Sequence, residues 1–277
     1  MKDVFQPNLL AGKAAFITGG GSGINQCIAE RMAAAGAAVT IVGRDLAKAQ
    51  RAAAAINAAG GRAIGLSADV RDYDQVGAAL HTAQREFGRL DIVVAGAAGN
   101  FVAPAMDMSS KGFRTVIDID LIGTFNTVHA AHEYLTKPGG LVLAISAVQS
   151  TMPTATQSHV CAAKAGVDML MKTLAVEWGA QGIRCVGIAP GPVGDTEGMR
   201  RLAPDGQRSW DRLLGSIPSG RAGAREEIAS LALFLASGAA DYINGVVLPI
   251  DGGQTAVGGH EFGAMLVDSL RPRSTSI

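Results

Sequence analysis

The sequence predicts one doubly wound α/β domain built on a parallel sheet of seven strands. Three observations carry that expectation. Short β-branched apolar runs alternate with long alanine-rich stretches at helical spacing. The runs are continuously apolar rather than alternating, which implies strands covered by helices on both faces. A glycine-rich turn, Gly19-Gly20-Gly21-Ser22-Gly23, joins the first run to the first helical stretch, the arrangement that presents backbone N–H groups to an anion.

The strand runs are Ala14–Thr18, Val39–Gly43, Ala63–Ser67, Ile92–Ala95, Leu141–Ser146, Cys185–Ala189 and Val246–Ile250. Helical spacing covers about 23–36, 45–59, 72–87, 108–135, 157–180 and 225–237. Right-handed crossovers then put any ligand at the carboxyl ends of the strands. With 277 residues, 48% of them hydrophobic, the chain can bury one large core, and no repeat, linker or composition break divides it. Two regions depart from the alternation. Residues 191–222, rich in Gly, Pro and Arg, read as a substrate lid. The tail 254–277 has room for one short helix around Glu261–Ser269.

Charge and composition narrow the function. The 24 basic and 24 acidic residues cancel, so no global field favours nucleic acid or an anionic membrane. No apolar stretch is long enough to span a bilayer, and Met1-Lys2-Asp3-Val4-Phe5 contains no apolar signal region. Cys27, Cys161 and Cys185 are odd in number and far apart, so they read as reduced packing residues with no metal site. These features, with no trusted address in the last residues, give a cytoplasmic expectation.

The turn follows a clear strand and opens a clear helix, which makes Thr18, Gly19, Gly21, Ser22, Gly23 and Ile24 candidates for holding a dinucleotide pyrophosphate. A carboxylate at the end of the second strand would bond the ribose hydroxyls and repel a 2′-phosphate. Gly43-Arg44 stands there instead, and a guanidinium can bind that phosphate bidentately. NADP(H) is therefore expected over NAD(H). The other reading is a solvated Arg44 opening the next helix, with Asp45 as its cap. Asp69-Val70, after the third strand, suits the adenine edge or a simple Asp turn.

Thr18–Ile24, Asp69-Val70, Lys164, Pro190-Gly191 and Asp251-Gly252-Gly253 together resemble the short-chain dehydrogenase/reductase family over residues about 10–253. The resemblance implies a Rossmann-type fold, a lysine on the nicotinamide ribose, a Pro-Gly turn against the nicotinamide, and dimers or tetramers. Helices 108–135 and 157–180, apolar on more than one face, are the candidate subunit contacts. The sequence departs from the family at Asn25, where the third glycine is expected, and at Ala95-Gly96-Ala97-Ala98, where Asn-Asn-Ala-Gly is expected.

The larger departure is in the catalytic set. That family works with Ser, Tyr, Lys and Asn, and the tyrosine protonates a carbonyl oxygen. The matching positions are Ala147, Val160, Lys164 and Asp120. Val160 and Lys164 share a helix face at i, i+4. Tyr73, Tyr134 and Tyr242 offer no obvious substitute. Either the site is dead or the reaction needs no proton on oxygen. Hydride addition to a conjugated thioester meets the second condition: charge collects on the thioester oxygen and the proton goes to carbon. Lys164 then offsets the charge, and Asp120 holds or polarises a water. Asp118, two residues away on the helix, points elsewhere and reads as structural; an ion pair that merely holds Lys164 is the plainer role for Asp120.

Ala97-Ala98-Gly99-Asn100-Phe101, Asp118–Asn126 and the run from Ala189 to Gly198 narrow the resemblance to the 2,4-dienoyl-CoA reductases, peroxisomal-type branch. By resemblance, NADPH reduces a 2,4-dienoyl-CoA to a 3-enoyl-CoA, with Asp120 and Lys164 central and Asn100 and Phe101 at the substrate. His159, one residue from the inward position, reads as a helix-start residue. Between Gly198 and Ala222, five arginines (Arg200, Arg201, Arg208, Arg212, Arg221) stand against Asp205 and Asp211. That excess suits the phosphates of an acyl-CoA, or a solvated lid. A different short-chain reductase and a non-catalytic NADP(H)-binding protein are the alternatives.

Overall fold

The computed structural model describes residues 5–196 and 207–257, without the side chains of 207–209. Glu197, Gly198, Arg200, Arg201, Asp205 and the tail segment Glu261–Ser269 lie outside the described residues, and the side chain of Arg208 does too. Seven parallel strands form one sheet: β1 Ala14–Thr18, β2 Ala38–Gly43, β3 Arg62–Ser67, β4 Ile92–Ala95, β5 Leu141–Ile145, β6 Arg184–Pro190 and β7 Val247–Ile250, in the order β3-β2-β1-β4-β5-β6-β7. β1 and β4 end on matched residues, Thr18 opposite Ala95. The chain leaves β1 in one direction and returns to β4 on its other side, so the crevice at those two carboxyl ends is the switch point where ligands sit.

The helices are α1 Gly23–Ala34, α2 Leu46–Ala58, α3 Tyr73–Phe87, α4 Ser110–Ile117, α5 Gly123–Ala131, α6 Ser158–Trp178, α7 Gln207–Gly215 and α8 Arg225–Ala236. Two cores lie on opposite faces of the sheet. Alternate strand residues such as Ile17, Ile41, Val94 and Leu143 pack against α1, α2 and α8. Their neighbours Phe16, Val42, Val93 and Val142 pack against α3, α5 and α6. Both sets are apolar, which is why the strands read as continuous runs.

The predicted helix 108–135 is three pieces. Between α4 and α5 lies a π-helical turn, Asp118–Ile122, in which the Gly123 N–H reaches back five residues to the Asp118 carbonyl. The wider turn inserts a residue and rotates the segment, a device found often at functional sites. It leaves Asp120 buried, 1% exposed.

Candidate functional site

The cradle at the crevice is set by backbone geometry. Gly19 (φ +70°) and Gly23 (φ +61°) adopt the left-handed conformation that glycine allows without strain. A Cβ on Gly19 would lie 2.9 Å from the Gly96 carbonyl oxygen, so the turn runs directly over the end of β4. Thr18 does not face outward; its hydroxyl accepts from the Gly96 N–H at 3.1 Å and ties β1 to that segment. Ser22 caps α1 without a side-chain hydrogen bond, and the first turn of α1 contains no acid. The orphan N–H groups and the positive helix end are thus left for an anion.

Asn25, the residue in place of the third glycine, donates from Nδ2 to the Gly96 carbonyl at 2.7 Å. A Cβ at position 96 would sit 2.4 Å from Asn25 Oδ1. The departures at Asn25 and Gly96 are therefore complementary: the α1 side chain occupies the space that a side chain at 96 would need.

Beyond the end of β2, Arg44 is exposed, and Asp45 caps α2 by accepting from the Lys48 N–H at 3.0 Å. A groove there is lined by Gly21, Ser22, Gln26, Lys48 and Arg51. Lys48 and Arg51 were not among the sequence candidates. Their signal was two cations at i+4 and i+7 from Arg44, within the first two turns of α2. Asp69 is a turn-former: its carboxylate accepts from the Arg71 backbone and Nε, both at 3.0 Å, and the Arg71 guanidinium holds it below the usual carboxylate range. The Val70 carbonyl accepts from Asn126 Nδ2 at 2.9 Å, which fastens this turn to α5. At the other end of the crevice β6 stops at Pro190, and Gly191 passes so close to Asp251 that a Cβ would lie 2.7 Å from the Asp251 Cα. Glycine turns, free helix N–H groups and a cationic groove together fit a phosphorylated dinucleotide.

Lys164 projects from α6 into this crevice. Its ammonium donates to the Ile145 carbonyl at 2.9 Å and pairs with Asp120 Oδ2 at 3.2 Å. The side chains are 7% and 1% exposed, so little water screens the pair. Asp120 Oδ1 accepts from the Gly99 N–H at 2.7 Å, and the Thr124 hydroxyl donates to the Asp120 carbonyl at 2.6 Å. Both carboxylate oxygens are held, one by the β4 loop and one by α6. Asp118 takes no part in the pair.

The phenol position is apolar. Val160 packs with Val116 and Ala163, against Ile117 and Leu121. Ser146 is no substitute for the missing serine, because its hydroxyl donates to the buried Asp168. Tyr73 bonds His129 Nδ1 at 2.9 Å, Tyr134 packs at the edge of a core, and Tyr242 is fully exposed. None of the three bonds Asp120 or Lys164. The centre can thus stabilise an anion and orient water, and among the described residues no tyrosine or serine hydroxyl bonds Lys164 or the Asp120 carboxylate.

Asn100 and Phe101 follow Gly99 in the same loop. Asn100 Oδ1 is buried without a protein partner. Phe101 is 39% exposed and its ring lies 4.5 Å from that of His159. His159 lies in the first turn of α6, as the sequence suggests, and it is fully buried, covered by the β4 loop folding over the start of that helix. In the segment before α8, Arg221 is already committed to Glu227, at 2.7 and 2.9 Å, while Arg212 is exposed. Burial pushes the Cys27 and Cys185 thiols up to about 11 and about 12, as expected of packing residues. Among the described residues no group of His, Cys, Asp and Glu is arranged to hold a metal ion, and no helix is long and apolar enough to cross a membrane.

Comparison with known proteins gives a consistent set. A rat protein named peroxisomal 2,4-dienoyl-CoA reductase [(3E)-enoyl-CoA-producing] is 44% identical over 95% of this chain and 90% of its own. A yeast (Saccharomyces cerevisiae) protein of the same enzyme name is 41% identical over 93% and 90%. A Bacillus subtilis protein named probable 2,4-dienoyl-CoA reductase [(2E)-enoyl-CoA-producing] is 40% identical over 87% and 96%. These names overturn the cytoplasmic expectation, since the rat and yeast relatives are peroxisomal; a neutral chain without a recognised address does not exclude an organelle.

Among solved structures, a short-chain dehydrogenase from Bacillus anthracis superposes with a TM-score of 0.79 at 38% identity, covering 88% of this chain and 96% of that one. A gluconate 5-dehydrogenase from Burkholderia cenocepacia, in complex with NADP and tartrate, gives 0.83 at 32% identity, covering 89% and 96%. A family model described as enoyl-(acyl carrier protein) reductase matches residues 19–255. With fold, crevice and relatives in agreement, the chain belongs to the short-chain dehydrogenase/reductase family, whose members bind a nicotinamide cofactor.

Proposed function

We propose that this protein is an NADPH-dependent reductase of 2,4-dienoyl-CoA thioesters, forming the 3-enoyl-CoA. The carrying observation is the buried Lys164–Asp120 pair in a site whose phenol and serine positions are Val160 and Ala147. The names of the rat and yeast relatives support the substrate class and the product.

The first-turn N–H groups of α1 and the Gly19–Gly23 turn would hold the pyrophosphate, and Arg44, with Lys48 and Arg51 beside it, the 2′-phosphate. Bound NADPH supplies the hydride, which the diene accepts at its far carbon. Negative charge then spreads to the thioester oxygen, where the Lys164 ammonium lowers its energy in a site poor in water. Asp120, fixed by Gly99 and Lys164, accepts a hydrogen bond from a water and aims it at the α-carbon. Protonation there, rather than at the γ-carbon, leaves the remaining double bond at the 3-position. Phe101 lies along the acyl chain, Asn100 meets a polar group of the substrate, and Arg212 faces the coenzyme A phosphates. Self-association through α5 and α6 is part of the same reading, because Phe125, Met169 and Val176 are 41%, 60% and 84% exposed on these helices.

Purified protein given NADPH and 2,4-hexadienoyl-CoA tests the reading. Loss of NADPH absorbance with formation of the 3-enoyl product is expected. Tight NADPH binding without turnover would overturn it in favour of a non-catalytic nucleotide-binding protein.

A further inference from the structure

His159 is the buried polar side chain that the mechanism above leaves unused. It is 0% exposed, and neither ring nitrogen has a hydrogen-bond partner. The Phe101 carbonyl acts on the ring without hydrogen-bonding alignment, and that oxygen already accepts from Gln157 Nε2 at 2.9 Å. A buried imidazole with two idle nitrogens is costly, so such a group implies an ordered water or a ligand. Its neighbours are polar and idle in the same way: Asn100 Oδ1 and Gln157 Oε1 are also buried without partners. All three belong to the contact between the Gly99–Phe101 segment and the start of α6. The same segment donates its Gly99 N–H to Asp120. One short loop therefore joins the orphaned ring to the carboxylate, and the Asp120 charge is near enough to be felt at the ring.

Resting on the function proposed above, we propose that His159 is the second holder of the proton-donating water. Its ring N–H donates to the water oxygen, while Asp120 accepts from one O–H and leaves the other directed at the substrate. The second ring nitrogen and the amide oxygens of Asn100 and Gln157 anchor further water between this point and solvent. In the step itself, the enolate electron pair forms the new C–H bond at the α-carbon as the water O–H bond breaks. The hydroxide left behind is stabilised by the His159 N–H and takes up the one solvent proton consumed per hydride transferred.

The chemistry needs a neutral ring with one donor and one acceptor. Burial pushes the His159 pKa down, and the nearby Phe101 carbonyl and then the Asp120 charge only partly oppose this. The ring is therefore neutral at physiological pH. Asp120 is the charged group acting on it, and Lys164, five residues along the same helix, is bound to that carboxylate.

Two substitutions separate this role from packing. His159→Phe keeps a ring against Phe101 but cannot hold water; kcat is expected to fall on the order of 100-fold, with NADPH affinity by fluorescence unchanged. His159→Asn, which keeps a donor, should recover part of that loss. Full kcat in His159→Phe would overturn the proposal, and so would a loss in His159→Asn as large as that in His159→Phe. A readout independent of turnover, and usable should His159→Phe not fold, is proton NMR titration of the imidazole in otherwise intact protein. Asp120→Asn is expected to lower its midpoint, and an unmoved midpoint would refute the shared pocket. If the wild-type protein fails to reduce the dienoyl-CoA, the function reading falls, while the titration still decides whether His159 and Asp120 share one pocket.

Discussion

Asn25 and Gly96 form a matched pair: the Asn25 amide bonds the Gly96 carbonyl at 2.7 Å and fills the space that a side chain at 96 would need. The pair joins the first turn of α1 to the end of β4, across the switch point of the sheet. Gly96→Ala puts its methyl 2.4 Å from Asn25 Oδ1, and Asn25 is too buried to swing away. The expected cost is about 1–3 kcal/mol of overpacking, read as a lower urea midpoint, together with weaker NADPH binding. Asn25→Ala in the Gly96→Ala background should restore much of the midpoint. If Gly96→Ala alone left both quantities unchanged, the coupling would be refuted.

How much of this was legible in the sequence depends on how local each cause is. The strands were predicted to within a residue or two, because helices on both faces force apolar residues at every position. The π-helical turn was not legible. An i, i+5 bond leaves no mark on a 3.6-residue period, and residues 108–135 carry apolar residues on more than one face, so a rotation of the segment does not show. Gly123 was the one available clue, since a Cβ there would strike the Val70 side chain at 2.5 Å. His159 looked like a helix-start residue because α6 begins at Ser158. Its burial comes from a loop some sixty residues earlier, which no local pattern encodes. Asp120 and Lys164 could be picked out only because the family pattern names their positions; spacing alone would not have paired them.

Asp120→Asn keeps the shape of the side chain and its acceptor for the Gly99 N–H, but removes the charge facing Lys164 and the proposed water. Turnover is expected to fall on the order of 100-fold, while NADPH affinity changes little. Asp120→Ala should be worse, since breaking a buried pair costs about 3–5 kcal/mol of stability. Steady-state kinetics with NADPH binding by fluorescence separates the two effects. Wild-type turnover in Asp120→Asn would remove the carboxylate from the mechanism.

Arg44→Ala tests the cofactor assignment. A charge-assisted hydrogen bond contributes about 1.5–3 kcal/mol, so the NADPH KM should rise roughly 10-fold or more while the NADH value stays put. Lys48→Ala, in the groove beside Gly21, should act in the same direction by a smaller factor. A preference for NADPH over NADH that survives both substitutions would rule out a 2′-phosphate site at this end of the crevice.

The segment that leads into α8 is tied to that helix through Arg221 and Glu227. The Arg221 guanidinium beside Glu227, with the Ala224 N–H, holds that carboxyl down at about 2. A depressed carboxyl stabilises the fold above its unfolded value of 4.5, and the contribution is lost as pH falls through about 2. Arg221→Ala should therefore lower stability at neutral pH by a modest amount, because the guanidinium is largely exposed. The difference from wild type should shrink below pH 4.5 and vanish near pH 2. Urea unfolding across that range measures it. A gap that stayed constant with pH would mean that Arg221 acts by packing its aliphatic stem, and that the charge pair does not hold the preceding segment to α8.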